Sequence, residues 1–312
     1  MLKIAFRIDI SGSIGTGHYM RMSVLGDAFK KLGCTCDFYK GEDEPVDYSG
    51  YDIIVIDTYE VDDAYIAALR KQPKILVCYD DNALYTYNCD ILINANFHAK
   101  DLNFKFAGVP PKMLIGPDYS LLRREFGEST PITVRESANS IFVCFGGSDI
   151  RRFTSFAVCA LAAIENISLY VVLGAYTRCD EKVYKLESDK VKIIKNPESV
   201  YEIMRNCDIA VTASGSMIYE LASIGLPSIV ISQADNQNLI AEHLSCNNLM
   251  NFAGDYKSVT AESLRYEAER LLNNFAERKE KHLKLISTVN KNGAMNAAKS
   301  ILEVAYESFG KN

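Results

Sequence analysis

Long apolar runs are missing from this chain of 312 residues. No segment approaches the roughly 18 consecutive apolar residues of a membrane-spanning helix, and MLKIAFRIDI at the N-terminus turns polar too soon for a secretory signal. Stable membrane insertion is therefore not expected, and a cytoplasmic location is. Dense clusters of Lys and Arg are missing too. The 34 basic and 40 acidic side chains leave a net charge of −6, with nothing able to follow a phosphate backbone, so nucleic acid is not expected as a partner. The 9 cysteines are odd in number and irregular in spacing. Cys34 and Cys36 stand too close for a zinc ribbon, and most others lie in apolar runs such as ILVCYD and IFVCFG, which suits reduced core thiols. No His/Cys/Asp cluster has metal-ligand spacing, so neither a metal nor another cofactor is expected. There are only 4 histidines, of which His98, His243 and His282 read as surface or helix residues. No repeat of solenoid period and no coiled-coil seam occurs, and the chain is expected to be a monomer.

What the chain does have is a core. Apolar residues make up 48% and charged residues 24%, and the length suits about two domains of roughly 150 residues. Strand-like runs alternate with helical patterns in a first series: KIAFRI, then Met20 to Leu32, CDFYK, DIIVID, then Ala64 to Lys71, KILVCYD and DILINAN. A second series runs SIFVCFGG, then Thr154 to Ile164, LYVVLG, VKIIKN, Val200 to Arg205, DIAVTAS, Met217 to Ile224 and PSIVIS. The turn-rich stretch 126–140, FGESTPITVRESANS, reads as the linker. The fold class is α/β, with two Rossmann-like domains, 1–136 and 137–312, facing a cleft. Ligands of such sheets bind beyond the carboxyl ends of the strands, which makes that cleft the expected working site. Amphipathic helices are expected over Thr260 to Ile286 and Met295 to Glu307, the last a candidate to pack back on the first domain.

Three loops carry candidate chemistry. In IGTGHYMR, Gly15 and Gly17 permit close approaches, and His18 stands at a helix entrance after the first strand, placed to act as a neutral general base or simply to pack. The loop lacks the third glycine of a dinucleotide fingerprint. In FGGSD, Gly146 and Gly147 can turn peptide N–H groups toward phosphate or form an ordinary strand-to-helix turn. In ASGSMIYELASIGLP, Ser214, Gly215 and Ser216 open a helix whose free amides suit a diphosphate, and Glu220 can accept from ribose hydroxyls; a cap by Ser216 is the alternative. Asn236 and Gln237 in SQADNQ offer donors and acceptors for water, sugar or amide groups, or make a turn. Tyr59 and the pair Asp80 and Asp81 end strands of the first sheet, where helix caps and loop polarity are the simpler account of each taken singly.

Taken in order, FRIDISGSIGTGHYMR, VIDTYEVDD, YDDNALYTYNCDILIN, IGPDYSLLRREF, FVCFGGSD and ASGSMIYELASIGLPSIVISQADNQ resemble the UDP-2,4-diacetamido-2,4,6-trideoxy-β-L-altropyranose hydrolases of pseudaminic acid biosynthesis and related spore-coat polysaccharide proteins. The resemblance runs from about residue 3 to about residue 240. It implies a glycosyltransferase B type fold like that of the lipid II N-acetylglucosaminyltransferase, and metal-independent, inverting hydrolysis of a UDP-sugar, with UDP as part of substrate and product. It implies His18 as the group that activates or orients water, and Tyr59 and Asn236 as holding water and sugar. Gly15 and Gly17 would make room for the sugar, and Gly146, Gly147, Ser214, Gly215, Ser216, Glu220 and Gln237 would line the UDP side. Asp9 and Arg21 match family positions as substrate contacts or as loop supports. Met22, Met217 and Tyr219 depart from the family's usual Cys, Thr and Trp. An inverting glycosyltransferase of surface polysaccharide synthesis is the alternative, in which the same histidine deprotonates a sugar hydroxyl.

Overall fold

Strands buried from end to end organise both halves of the chain. The computed structural model describes residues 1–9, 17–43, 45–72, 74–147, 149, 151–174, 177 and 179–310. In it IIVID, ILVCY, ILIN, SIFVC, IAVTA and SIVIS have no exposed residue. Continuous apolar runs of this kind suit parallel strands covered on both faces. The chain divides into two units, Met1–Arg124 with Asn290–Asn312, and Glu125–Val289.

The first unit contains β1 (Lys3–Ile8), α1 (Gly17–Lys31), β2 (Thr35–Lys40), β3 (Ile53–Asp57), α2 (Asp63–Leu69), β4 (Ile75–Tyr79), β5 (Thr86–Tyr87), β6 (Ile91–Asn94), β7 (Lys105–Phe106) and β8 (Lys112–Ile115). Six of these strands form a parallel sheet in the order β2-β1-β3-β4-β6-β8, and β5 pairs separately with β7. Helix α1 buries His18, Met22, Leu25, Gly26 and Phe29, the stripe expected of a helix lying on a sheet. His18 thus belongs to the inward face by periodicity. Gly26 allows a close approach, since a Cβ there would meet the Phe38 ring at 2.8 Å. Asp62 caps α2 by accepting from Tyr65 N at 2.8 Å. The order reverses at β1, which lies between β2 and β3, and places Ile8 opposite Asp57.

The second unit follows a single turn, α3 (Arg124–Gly127), with β9 (Ser140–Cys144), α4 (Phe153–Leu161), β10 (Ser168–Leu173), α5 (Glu181–Tyr184), β11 (Val191–Lys195), α6 (Val200–Met204) and β12 (Ile209–Ala213). Then come α7 (Met217–Ile224), β13 (Ser228–Ser232), α8 (Asn238–Cys246), β14 (Asn251–Asp255), α9 (Ala261–Asn273) and α10 (Phe275–Thr288). The parallel sheet order β11-β10-β9-β12-β13-β14 is the doubly wound Rossmann order, reversing between β9 and β12. The last helix, α11 (Gly293–Ser308), lies in the first unit, where Ala297, Ala298, Ile301 and Ala305 join the core that contains Leu25 and Phe29 of α1.

Some local expectations change. The stretch 126–140 is anchored to the second unit rather than free: Phe126 is buried, Ile132 N–H donates to Ile224 O, and Arg135 pairs with Asp208 at 2.6 Å. Fully buried Arg278 donates to the carbonyls of Arg135 and Glu136, as well as those of Leu271 and Leu272 at the end of α9. The helix expected over Thr260 to Ile286 breaks at Asn274, whose side chain caps α10 by accepting from Glu277 N at 3.1 Å. All 9 cysteines are free; Cys159 and Cys246 are exposed rather than in a core. No helix among the described residues is long and apolar enough to cross a membrane.

Candidate functional site

The reversal of strand order in the first unit brings the carboxyl ends of β1 and β3 and the start of α1 together, the place where open α/β sheets hold ligands. Asp57 ends β3 with no exposure, and its Oδ1 lies 2.7 Å from Nδ1 of buried His18. Arg21, one helical turn along α1, donates to the same carboxylate from Nε at 2.6 Å and from an Nη at 2.5 Å. Burial pushes the Asp57 carboxyl up, but the Arg21 charge and hydrogen bonds, with His18 behind them, hold it below the usual carboxylate range. An ionised carboxylate can only accept, and at 2.7 Å Asp57 lies nearer Nδ1 than the Arg21 Nη does at 3.2 Å, so a neutral His18 ring is favoured with its proton on Nδ1 and its lone pair on Nε2.

A second carboxylate completes the group. Asp81 accepts from the other Nη of Arg21 at 2.5 Å and from the Tyr59 hydroxyl at 2.6 Å, while Asn96 donates to its backbone carbonyl at 3.0 Å. The Arg21 guanidinium also lies 4.4 Å from the Tyr79 ring centroid. Tyr59 meets His18 edge to face, with centroids 4.6 Å apart. Burial and the Asp81 charge push the Tyr59 hydroxyl well above its ordinary value, which keeps it a donor at neutral pH. Buried Asp9 accepts from Thr58 Oγ1 at 2.6 Å, from Tyr59 N at 2.7 Å and from Arg7. Asp9 thus joins the end of β1 to Thr58 and Tyr59 beyond β3, and Arg21 joins α1 to Asp57 and Asp81.

Asp80, next to this group, offers a test of its electrostatics. Burial pushes its carboxyl up to about 6, against the Ala83 and Asn82 N–H groups that favour the ionised form. The folded-state value lies above the unfolded one near 3.9, so the native state holds the proton more tightly and stability falls as pH rises from about 4 to about 6. That difference corresponds to about 3 kcal/mol. Asp80→Asn is expected to gain stability relative to the parent across this window, read from urea unfolding on both sides of it. A pH-independent difference between the two proteins would contradict the assignment.

In the second unit the loops after β9 and β12 carry the corresponding groups. Gly146 has φ +88°, and Gly174, at the end of β10, comes so near that a Cβ on it would lie 2.6 Å from Gly146 O and from Gly147 Cα. The start of α4 is occupied: Asp149 accepts from Phe153 N and Thr154 N, each at 2.8 Å. The start of α7 differs, because Ser216 makes no side-chain cap, so the cap expected from sequence as an alternative is not formed. Ser214 is buried, 3.2 Å from Ser232 Oγ and 3.3 Å from Gln237 O, and Gln237 Oε1 accepts from Gln233 N at 2.9 Å. Glu220 lies half-buried in the first turn of α7.

Of the residues singled out in sequence, His18, Arg21, Asp9 and Tyr59 are brought together in the first unit. Gly146 and Gly147 follow β9, while Ser214, Gly215 and Ser216 follow β12. Asn236 is exposed on a short turn, Asp235–Gln237, beside Gln237. Gly17 begins α1 with open space where a Cβ would be, and Gly15 lies outside the described residues. His98 is buried rather than at the surface, at the N-terminal cap of the short helical turn Ala99–Asp101. Asp57 is the residue of this group that the sequence does not single out, although it ends an apolar strand run; Asp81, expected as a cap or loop acid, instead pairs with Arg21 and Tyr59. Among the described residues no group of three or more His, Cys, Asp or Glu side chains is placed to hold a metal ion.

Comparison with known proteins bears on both units. Residues 160–294 match a protein family of unknown function, DUF354. A Methanocaldococcus jannaschii protein, named as uncharacterized, is 26% identical over 274 residues, 76% of this chain and 57% of its own length. The chain thus spans little more than half of that relative. The UDP-2,4-diacetamido-2,4,6-trideoxy-beta-L-altropyranose hydrolase of Campylobacter jejuni is 25% identical over 78% of this chain and 96% of its own. The spore coat polysaccharide biosynthesis protein SpsG of Bacillus subtilis is 22% identical over 84% of this chain and 86% of its own. This chain is a relative of both. The family resemblance carried by the ordered motifs is thereby established. Among solved structures, MurG of Acinetobacter baumannii matches with a TM-score of 0.70 at 12% identity, covering 97% of this chain and 100% of that one. The fold is accordingly of the glycosyltransferase B type, with two Rossmann-like units.

Proposed function

We propose that the chain hydrolyses a UDP-linked diacetamido-trideoxy sugar to free sugar and UDP, with inversion and without a metal, in nonulosonic (pseudaminic) acid biosynthesis. The observation that carries this reading is the buried His18–Asp57 pair, which leaves Nε2 as the basic nitrogen of the ring. Water gives a proton to Nε2 as its oxygen forms a bond to the anomeric carbon. The bond from that carbon to the diphosphate oxygen breaks on the opposite face, and UDP leaves with the electron pair. Asp57 stays ionised and stabilises the imidazolium, whose proton then returns to solvent.

The leaving group needs its growing charge neutralised rather than protonated. Peptide N–H groups of Gly146 and Gly147 and the uncapped start of α7 suit that task, and the half-buried carboxylate of Glu220 suits ribose hydroxyls. Tyr59 supplies a hydroxyl beside His18, and Asn236 an exposed amide for the sugar or water. The names of the Campylobacter and Bacillus relatives support this choice of substrate class.

The test is incubation of UDP-2,4-diacetamido-2,4,6-trideoxy-β-L-altropyranose with the protein and no sugar acceptor, followed by proton NMR. Catalytic release of UDP together with free sugar, first seen as the α anomer, is expected. Binding of the UDP-sugar without release would turn the reading to an inverting glycosyltransferase, and absence of any binding would remove the nucleotide-sugar assignment.

A further inference from the structure

The carboxyl edge of the second sheet holds a cavity that the proposed chemistry does not use. Arg151, Phe153, Phe156, Tyr256 and Val259 line a pocket of about 270 Å³, formed by the start of α4 and the turn from β14 into α9. Its cation is fixed on two sides. Nε of Arg151 donates to Gln233 O at 2.7 Å, and the guanidinium carbon lies 3.8 Å from the Tyr256 ring centroid. No described residue accepts from its Nη groups, which leaves the outer edge of the fork for a ligand.

The lining selects the ligand. Two phenylalanines, which meet edge to face at 5.5 Å between centroids, and a valine supply apolar walls without donors. Lys257 Nζ also lies over the Tyr256 ring, 4.9 Å from its centroid, but it is paired with Asp235 at 3.1 Å. A phosphate here would therefore find apolar walls and a single guanidinium edge with donors to spare. A planar amide suits it better, because the carbonyl accepts from Nη while the flat face and a methyl or ring edge pack on the aromatic walls. The volume falls just below the roughly 300–1,000 Å³ of drug-sized sites, enough for one such group and not for a whole nucleotide sugar. The pocket is also tied to the loops beside it, since Gln233 bonds to Gln237 and, through Nε2 at 3.4 Å, to Asp149.

We propose that this pocket binds a planar amide of the nucleotide sugar, either an acetamido group of the sugar or the amide edge of the pyrimidine. The inference rests on the nucleotide-sugar reading above. Calorimetry in a His18→Asn background, which removes turnover, separates the two sources. UDP and the UDP-diacetamido sugar are each titrated into that protein and into versions also carrying Arg151→Ala or Arg151→Lys. Arg151 is exposed and Lys keeps its charge while losing the planar fork, so both folds should hold; matching thermal melts check this. Loss of a charged hydrogen bond predicts weakening of about tenfold or more. Weakening of the UDP-sugar alone identifies the acetamido group, and equal weakening of both ligands by Arg151→Lys as well as by Arg151→Ala identifies the base. Weakening of both by Ala that Lys restores would mark a charge contact with the diphosphate and overturn the amide assignment. Affinities within twofold of the Arg151 parent for both ligands in both variants would overturn the pocket and leave the nucleotide-sugar reading standing. A parent that binds neither ligand would remove the reading itself.

Discussion

His18→Asn is expected to lower turnover of the UDP-sugar by about 10³-fold or more, with UDP affinity unchanged. Asparagine is the informative replacement because its amide N–H can still reach the Asp57 carboxylate, so the Arg21–Asp57 pair keeps its setting. What it lacks is a basic nitrogen. His18→Ala should lose activity equally, but it also opens a gap beside a carboxylate with no exposure, and a fall in stability there would blur the result. Steady-state turnover and UDP calorimetry on the same preparations distinguish loss of chemistry from loss of fold. Turnover within tenfold of the parent in the Asn variant would take His18 out of the proton transfer and leave it as a packing residue on the inner face of α1.

Much of this arrangement can be read before any coordinates are known, because the signals are local. Six consecutive-apolar strands are evident as runs, and His18 announces itself by following a glycine loop at the junction of a strand and a helix. Its partner is not evident. Asp57 lies 39 residues away and reads as the polar end of a strand until parallel pairing of β1 with β3 places it beside the α1 entrance. The pairing of Asp81 with Arg21, 60 residues away, is hidden for the same reason, since only the sheet order brings the β4 end close. Edge strands fade in a different way. NFAGD of β14 is mostly half-buried and contains Gly254 at φ +121°, so it carries neither an apolar run nor clear alternation. The boundary of the units is likewise set by contacts, such as those of Arg278 and Ile132, that polar composition does not reveal.

Asp57→Asn is expected to reduce turnover by about 10³ to 10⁴-fold with a much smaller change in KM. The substitution keeps size and shape and changes two things. An amide at position 57 can present its N–H to His18 Nδ1, which favours the tautomer with the proton on Nε2, where a lone pair is needed to accept from water. It also removes the charge that stabilises the imidazolium formed as the proton arrives. Arg21 is left with Asp81 as its charged partner, and breaking a buried ion pair on one side costs about 3 kcal/mol or more. That cost has a definite pH dependence. The Asp57 carboxyl titrates below its unfolded value, so its contribution is fully present above about 4 and fades as pH falls toward the depressed folded value. Urea unfolding of parent and variant should therefore show their widest separation at neutral pH and a narrowing gap below about 4. Arg21→Lys serves as the control for loop support, since it retains Asp57 and the His18 tautomer while losing the bidentate contact. If Asp57→Asn kept turnover within tenfold of the parent while unfolding more easily, Asp57 would be a structural partner of Arg21 and the tautomer of His18 would be held by something else.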